Sequence, residues 1–187
     1  GARLDSGLEV PAFSSAAFSM QDAERFAAQH EGKVCFCPAL GGWLHDDGKR
    51  WVPDKGMAYR LALATVRSIS READSAGSTE QRQAILRHAA KSENRIRLLL
   101  ESAANLLPLS VSPDQFDRNP SLLNVSNGTL DLETGGLLPH RSSDFLTRLI
   151  SVEYDEDAAC PVWGQFIATL ADGDKQLAEY LQRLAGA

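Results

Sequence analysis

Asp131 and Glu133 stand two residues apart in the run Leu130-Asp131-Leu132-Glu133, and residues at that spacing share one side of an extended strand. Such a pair of carboxylates can hold a divalent ion, as a nucleotidyl-transfer site does. It can equally accept hydrogen bonds from the turn Thr134-Gly135-Gly136 that follows, and this second role is expected, because two carboxylates alone do not complete a metal site. His140 follows Pro139 and precedes Arg141. With no nucleophile or second titrating group near it in sequence, its imidazole is expected to hydrogen-bond a neighbouring backbone group rather than move protons. Asn124 and Asn127 suit side-chain to backbone hydrogen bonds.

Three arginines carry a different chemistry. At about a hundred degrees per residue, Arg60, Arg67 and Arg71 fall in one narrow stripe, opposite Ala58, Leu61, Ala62, Thr65 and Ile69. They must project into solvent or toward a partner. A phosphate backbone is one such partner, since the guanidinium fork matches phosphate oxygens, and a plain solvated face is the other reading. Trp43 and Trp51 flank Asp46-Asp47-Gly48, so they can stand near each other across a hairpin. There they form either a cross-strand pair or a base-stacking surface.

Cys35 and Cys37 alternate, so they share a strand face, and Cys160 makes the set odd. A disulfide framework is not expected. A zinc site would need His30 or His45 to join the pair, and no second Cys or His pair has the spacing for it, so buried thiols are expected instead.

Several chemistries have no sequence support. The chain has no phosphate-cradling loop ending in Gly-Lys-Ser or Gly-Lys-Thr, no Gly-x-Ser-x-Gly elbow, no His-Glu-x-x-His pair and no dinucleotide fingerprint. This stretch is therefore expected to be neither an ATP-driven motor nor catalytic by itself. No run approaches roughly twenty apolar residues and no charged-then-apolar leader opens the chain, so a cytoplasmic protein without membrane contact is expected.

The 187 residues are 43% hydrophobic and 24% charged, enough for one substantial core or two small ones. The net charge of −6 disfavours a surface that binds nucleic acid all over. Its distribution is uneven. Residues 46–97 carry eleven Lys or Arg against seven Asp or Glu, whereas residues 98–187 carry five against thirteen.

These side chains must be positioned by an α+β fold: a helical bundle with small antiparallel hairpins and a helical hairpin at the C-terminal end. Residues 1–18 mix Gly, Ser, Pro and Ala and read as an irregular arm. Residues 19–187 are expected to form one domain in four parts: an α/β-hairpin lead-in over 19–54, basic helices over 55–107, a β-rich segment over 108–160 and a helical hairpin over 161–187. Ser19 is expected to cap a helix that runs to about His30, followed by a strand from Lys33 to Pro38. Helices are expected from Lys55 to Ala73, from Thr79 to about Ala90, and from Ser92 onward with Ile96, Leu99, Leu100, Ala103 and Leu107 inward. Asn127-Gly128 and Thr134-Gly135-Gly136 offer residues that tolerate positive φ, so the chain can reverse twice around Leu130 and Leu132. Ile150 to Tyr154 reads as a strand, Asp155-Glu156-Asp157 as an acidic turn, and Pro161 as a helix opening.

The segment Leu122 to Arg141, carrying Asn124, Asn127, Gly128, Asp131, Thr134, Gly135, Pro139 and His140, resembles part of the phage and plasmid primase-helicase family, which also includes the poxvirus primase-nucleoside triphosphatases. The matching region there is the domain just before the superfamily 3 helicase motor. The likeness runs from about Ala23 to Gly186. Cys160-Pro161-Val162-Trp163, the tryptophan-flanked hairpin Trp43 to Trp51, and the stretch Tyr180 to Gly186, which looks like the join to the motor, extend it. In the family a histidine sits at the position of His140.

The resemblance implies a parent protein that is a DNA primase and ATP-dependent helicase, using ATP and magnesium in a ring. This stretch would be its non-catalytic accessory part. Its partners would be DNA, weakly held through Arg60, Arg67, Arg71, Trp43 and Trp51, together with the downstream motor and neighbouring ring subunits. The alternative is an oligomerisation collar without direct DNA contact.

Overall fold

The computed structural model describes residues 15–74 and 92–186. Among these are five α-helices and two three-stranded antiparallel sheets, which places the chain in the α+β class as its sequence patterns imply. The helices are α1 (Ser15–His30), α2 (Met57–Asp74), α3 (Ser92–Ala103), α4 (Pro161–Ala171) and α5 (Lys175–Ala185). The first sheet holds β1 (Val34–Cys37), β2 (Gly42–Asp46) and β3 (Trp51–Pro53) in sequence order, and the second holds β4 (Leu122–Val125), β5 (Gly128–Asp131) and β6 (Leu137–Leu138). The helix expected from Thr79 to Ala90 and most of the arm expected over 1–18 lie outside the described residues. The chain divides into two compact units, the first ending at Glu153 and the second beginning at Tyr154.

In the first unit α1, α2 and α3 pack on one another through short apolar side chains. Ala23, Phe26 and Ala27 of α1 meet Ala58, Ala62 and Val66 of α2 and Ile96, Leu99 and Ala103 of α3, all buried. Two alanines on α1 and two on α2 stand in this core beside the larger Phe26, Ile96 and Leu99. Helix α1 begins at Ser15, so Ser19 lies inside it rather than at its cap. Helix α2 begins at Met57 because Asp54 caps it: one carboxylate oxygen accepts from the Met57 N–H at 2.7 Å, the other from Gly56 and Ala58 at 3.1 and 3.2 Å. Leu107 was expected on the inward stripe of α3. The helix ends at Ala103, and Leu107 stands 84% exposed.

The first sheet is a partition. Register pairs Phe36 with Trp43 and Cys35 with Leu44, and then Asp46 with Trp51. Strand alternation therefore puts Val34, Phe36 and Trp43 on one face and Cys35, Cys37, Leu44 and Trp51 on the other. Val34 and Trp43 join the helical core, and the opposite face forms a second cluster with Val111, Phe116 and Phe145. The turn between β2 and β3 places Gly48 at φ +92°, a left-handed conformation that glycine adopts without a Cβ clash.

In the second sheet β4 and β5 pair from Leu122–Asp131 to Val125–Gly128, joined by a two-residue turn at Ser126-Asn127. The expectation that Asn127-Gly128 supplies positive φ is corrected: neither residue adopts it. Gly128 is needed for another reason. A Cβ there would overlap the carbonyl oxygen of Leu138 and come within 2.9 Å of the Leu137 side chain, so the β6 backbone crosses where only a hydrogen fits. Gly135, at φ +74°, does supply the second reversal. Ile150 to Tyr154 is not a strand. Ile150 makes one parallel bridge to Val125, with the Ile150 N–H donating to the Asn124 carbonyl at 2.9 Å and the Ser126 N–H to that of Val152 at 2.9 Å.

The second unit is a helical hairpin. Pro161 occupies the first turn of α4, Asp172 and Gly173 turn the chain at φ +43° and +85°, and Asp174 caps α5 by accepting from the Gln176 and Leu177 N–H groups. Upstream, the Asp155 carboxylate accepts from the Asp157 N–H at 3.0 Å, closing the acidic turn.

Candidate functional site

Asn124 lies at the centre of the segment whose residues suggested a family. It is 4% exposed on β4. Its amide nitrogen donates to the carbonyls of Lys49 and Arg148, each at 2.9 Å, so it ties the β2–β3 turn and the Arg148 stretch to the second sheet. Those two bonds fix the amide orientation. The amide oxygen, 2.9 Å from Nδ1 of His140, must therefore accept, which places a hydrogen on Nδ1. His140 thus bonds a side chain rather than the expected backbone group. Lys49 closes the same junction, its ammonium donating to the Ser126 carbonyl at 2.6 Å. Asp46, in the neighbouring turn, has its carboxyl pushed above the ordinary range, chiefly by burial; the Gly48 N–H and the imidazoles of His45 and His140 oppose that shift.

Asp131, Thr134 and Gly135 serve the second turn. One Asp131 oxygen accepts from the Glu133 N–H at 2.9 Å, which pulls this carboxyl below its usual range with help from the Thr134 hydroxyl. Glu133 accepts instead from the Ser121 hydroxyl at 2.8 Å. Asp131 thus serves the turn as expected, whereas Glu133 reaches Ser121, twelve residues back and outside the Thr134-Gly135-Gly136 turn. Among the described residues no three His, Cys, Asp or Glu side chains gather as a metal site would need.

Arg60, Arg67 and Arg71 are exposed on α2, while Ala58, Ala62, Thr65 and Val66 on its other side are buried. Among the described residues no carboxylate forms an ion pair with any of the three. The stripe is therefore a cationic surface held rigidly by a helix anchored through its opposite face.

The tryptophans do not stand together. Trp43 packs edge-on against Phe26 and Phe36, with ring centroids 6.0 and 5.4 Å away. Trp51 lies on the other face of the sheet at 2% exposure, its indole N–H donating to the Ser142 carbonyl at 2.8 Å. A buried ring offers no face to a base, so Trp51 belongs to the core. The residue pattern implies a hairpin but not its register, and the register decides the face.

Cys35 and Cys37 are buried and unpaired as disulfides, and Cys160 is exposed. Burial pushes the Cys35 thiol up to about 12, with the neighbouring Cys37 adding to the effect.

Phe145 was not singled out by sequence. It stacks on Trp51 at 5.7 Å with only 9° between the ring planes, and meets Phe116 edge-on at 5.5 Å. Its backbone is left-handed, at φ +49°, uncommon for a bulky residue, and no sequence signal marks such a position. Beside it a cavity of about 580 Å³ opens between the stretch after Pro113 and the 3-10 turn Ser142–Asp144.

Among the described residues no helix is long and apolar enough to cross a membrane. No curated protein matches the chain. A family model described as D5 N terminal like matches residues 23–171.

Proposed function

The chain belongs to the D5 N terminal like family, the N-terminal region of phage and viral primase-helicase proteins, and from that membership we propose that it is the non-catalytic accessory domain of such a replication protein. In this reading it holds DNA beside the ATP- and magnesium-dependent superfamily 3 motor that would follow it, and orders the motor subunits in their ring. The observation that carries the DNA role is the exposed stripe of Arg60, Arg67 and Arg71 on a helix whose other face is core. Three guanidiniums along one helix face match the spacing-tolerant, sequence-independent recognition of a phosphate backbone.

The test is a fluorescence titration of single-stranded and duplex DNA with the triple variant Arg60→Glu, Arg67→Glu and Arg71→Glu. If the stripe meets phosphates, affinity drops for both forms and the log–log salt slope flattens by roughly two to three, at about 0.7–0.9 for each phosphate no longer neutralised. Unchanged affinity at low salt would end the DNA-positioning reading.

A collar for assembly is the second reading, favoured by one observation. Helices α4 and α5 leave Val162, Phe166, Leu170, Tyr180 and Leu184 more than half exposed. Single apolar side chains at a surface are ordinary, but five on one short hairpin are not. Sedimentation of the whole chain against the variant Phe166→Asp with Leu184→Asp separates the readings. A collar loses its assembly, whereas a DNA-holding domain keeps its affinity.

A further inference from the structure

The cavity of about 580 Å³ is lined by Arg118, Asn119, Leu122, Ser143, Asp144 and Phe145, among others, and its size is within the range of small-molecule sites. Its aromatic wall is fixed. The Phe145 ring is stacked on Trp51 and braced by Phe116, and its left-handed backbone is pinned by the Asp117 N–H, which donates to the Phe145 carbonyl at 3.1 Å. Asp117 is itself left-handed at φ +49°, and its carboxylate accepts from the Thr147 N–H at 2.8 Å and from the Thr147 hydroxyl. Two non-glycine residues held in this uncommon conformation persist only where the surrounding structure fixes them, so the position of the ring is set by its neighbours.

The polar groups complete a pattern. Arg118 is exposed and forms no ion pair among the described residues. The Asn119 amide oxygen is occupied by the Ser121 N–H at 3.0 Å, which leaves its amide N–H groups as donors. Asp144 supplies an acceptor. A rigid aromatic plate, one guanidinium, an amide donor and a carboxylate acceptor are what a nucleotide needs: a surface for its base, a cation for its phosphate, and partners for the base edge. The Asp144 carboxylate repels phosphate, so the phosphate belongs at Arg118 and the base edge at Asp144.

We propose that this cavity receives one unstacked nucleotide of a DNA single strand, its base against Phe145 and its phosphate on Arg118. The proposal deepens the DNA-positioning reading and rests on it. A duplex cannot enter, because its bases are stacked and paired, so the site gives the domain a preference for unpaired strand that the α2 stripe alone does not provide.

The experiment is an anisotropy titration of the whole chain with an oligothymidylate of about fifteen nucleotides, a duplex of the same length, and thymidine monophosphate as competitor, each for the parent chain, Arg118→Glu, Phe145→Leu and the triple α2 variant. The expected result is a roughly tenfold loss of single-strand affinity in Arg118→Glu and in Phe145→Leu with duplex affinity unchanged, since a stacked base contributes about that factor. An oligonucleotide carrying iododeoxyuridine should also crosslink to the peptide containing Phe145. Phe145 touches the core, so Arg118→Glu, a surface change, decides the matter if Phe145→Leu fails to fold. Single-strand affinity within twofold of the parent in Arg118→Glu overturns the proposal, as does monophosphate binding as tight as that of the oligonucleotide. Loss of duplex binding in the triple variant with no effect of Arg118→Glu sinks the cavity and spares the α2 stripe; the converse spares the cavity alone.

Discussion

The Arg95 guanidinium on α3 lies 2.7 Å from a carboxylate oxygen of Asp22 on α1, with Nε donating to the same oxygen at 2.8 Å, and both side chains are less than a tenth exposed. Desolvating two charges offsets most of their attraction, so the pair contributes little net stability while fixing how the two helices meet. Removing Asp22 is different, because it strands the Arg95 guanidinium inside the protein. Asp22→Ala is expected to cost about 3–5 kcal/mol in urea unfolding, and the double variant Asp22→Leu with Arg95→Met to recover most of it. A single variant within about 1 kcal/mol of the parent would show that the charge escapes to solvent.

Asn124 joins three chain segments through one amide, so its nearly isosteric replacement by Asp tests the hydrogen bonds without changing the packing. The carboxylate cannot donate to the Lys49 and Arg148 carbonyls, and it faces both oxygens. Asn124→Asp is expected to lose about 2–4 kcal/mol. Asn105→Ala, which removes an exposed bond to the Glu101 carbonyl, should stay within about 0.5 kcal/mol. Equal losses at both positions would refute the central role of Asn124.

Two glycines predict opposite signs. Gly128→Ala places a methyl group against the Leu138 carbonyl and the Leu137 side chain and is expected to destabilise by about 1–3 kcal/mol. Gly164 lies within α4 with nothing near its missing Cβ, so Gly164→Ala should stabilise that helix by about 0.5–1 kcal/mol. Thermal melts of the two variants, compared with the parent, read both signs directly.

His30 gives the pH dependence. Burial, then Lys33, holds its imidazole below the ordinary 6.5, while the Leu61 carbonyl pulls the other way. Well above 6.5 the group is neutral in both folded and unfolded chains and contributes no slope. As pH falls through that value the unfolded chain takes up a proton that the folded one resists, so stability declines until the folded group titrates. His30→Gln should remove that decline, seen as a smaller difference between unfolding free energies measured one unit above and one unit below 6.5. A difference equal to the parent's would assign the acid sensitivity elsewhere.

Periodicity carried much of this fold. The α2 and α3 faces, the β4–β5 hairpin and the α4–α5 pair follow from patterns within each element, because local spacing decides which side chains share a face. What escaped involves partners far apart in sequence. No local pattern joins Asp22 to Arg95, seventy-three residues later, until α1 and α3 meet. Trp43 and Trp51 look like neighbours until register sends them to opposite faces. Gly128 looks like a turn glycine, whereas the constraint comes from the β6 backbone. The arginine stripe on α2 was legible because it depends on one helix; Phe145 and its cavity were not, since they depend on a left-handed residue that no residue type announces.

The partition made by the first sheet separates two of the chain's three tryptophans, and the third belongs to the other unit. Trp43 sits in the helical core, Trp51 behind the sheet against Phe145, and Trp163 on α4, tilted beside Phe166 and 38% exposed. Intrinsic emission is therefore a composite of three reporters in three surroundings. Chains retaining one indole at a time would resolve the order in which bundle, second cluster and terminal hairpin come apart, without any added dye.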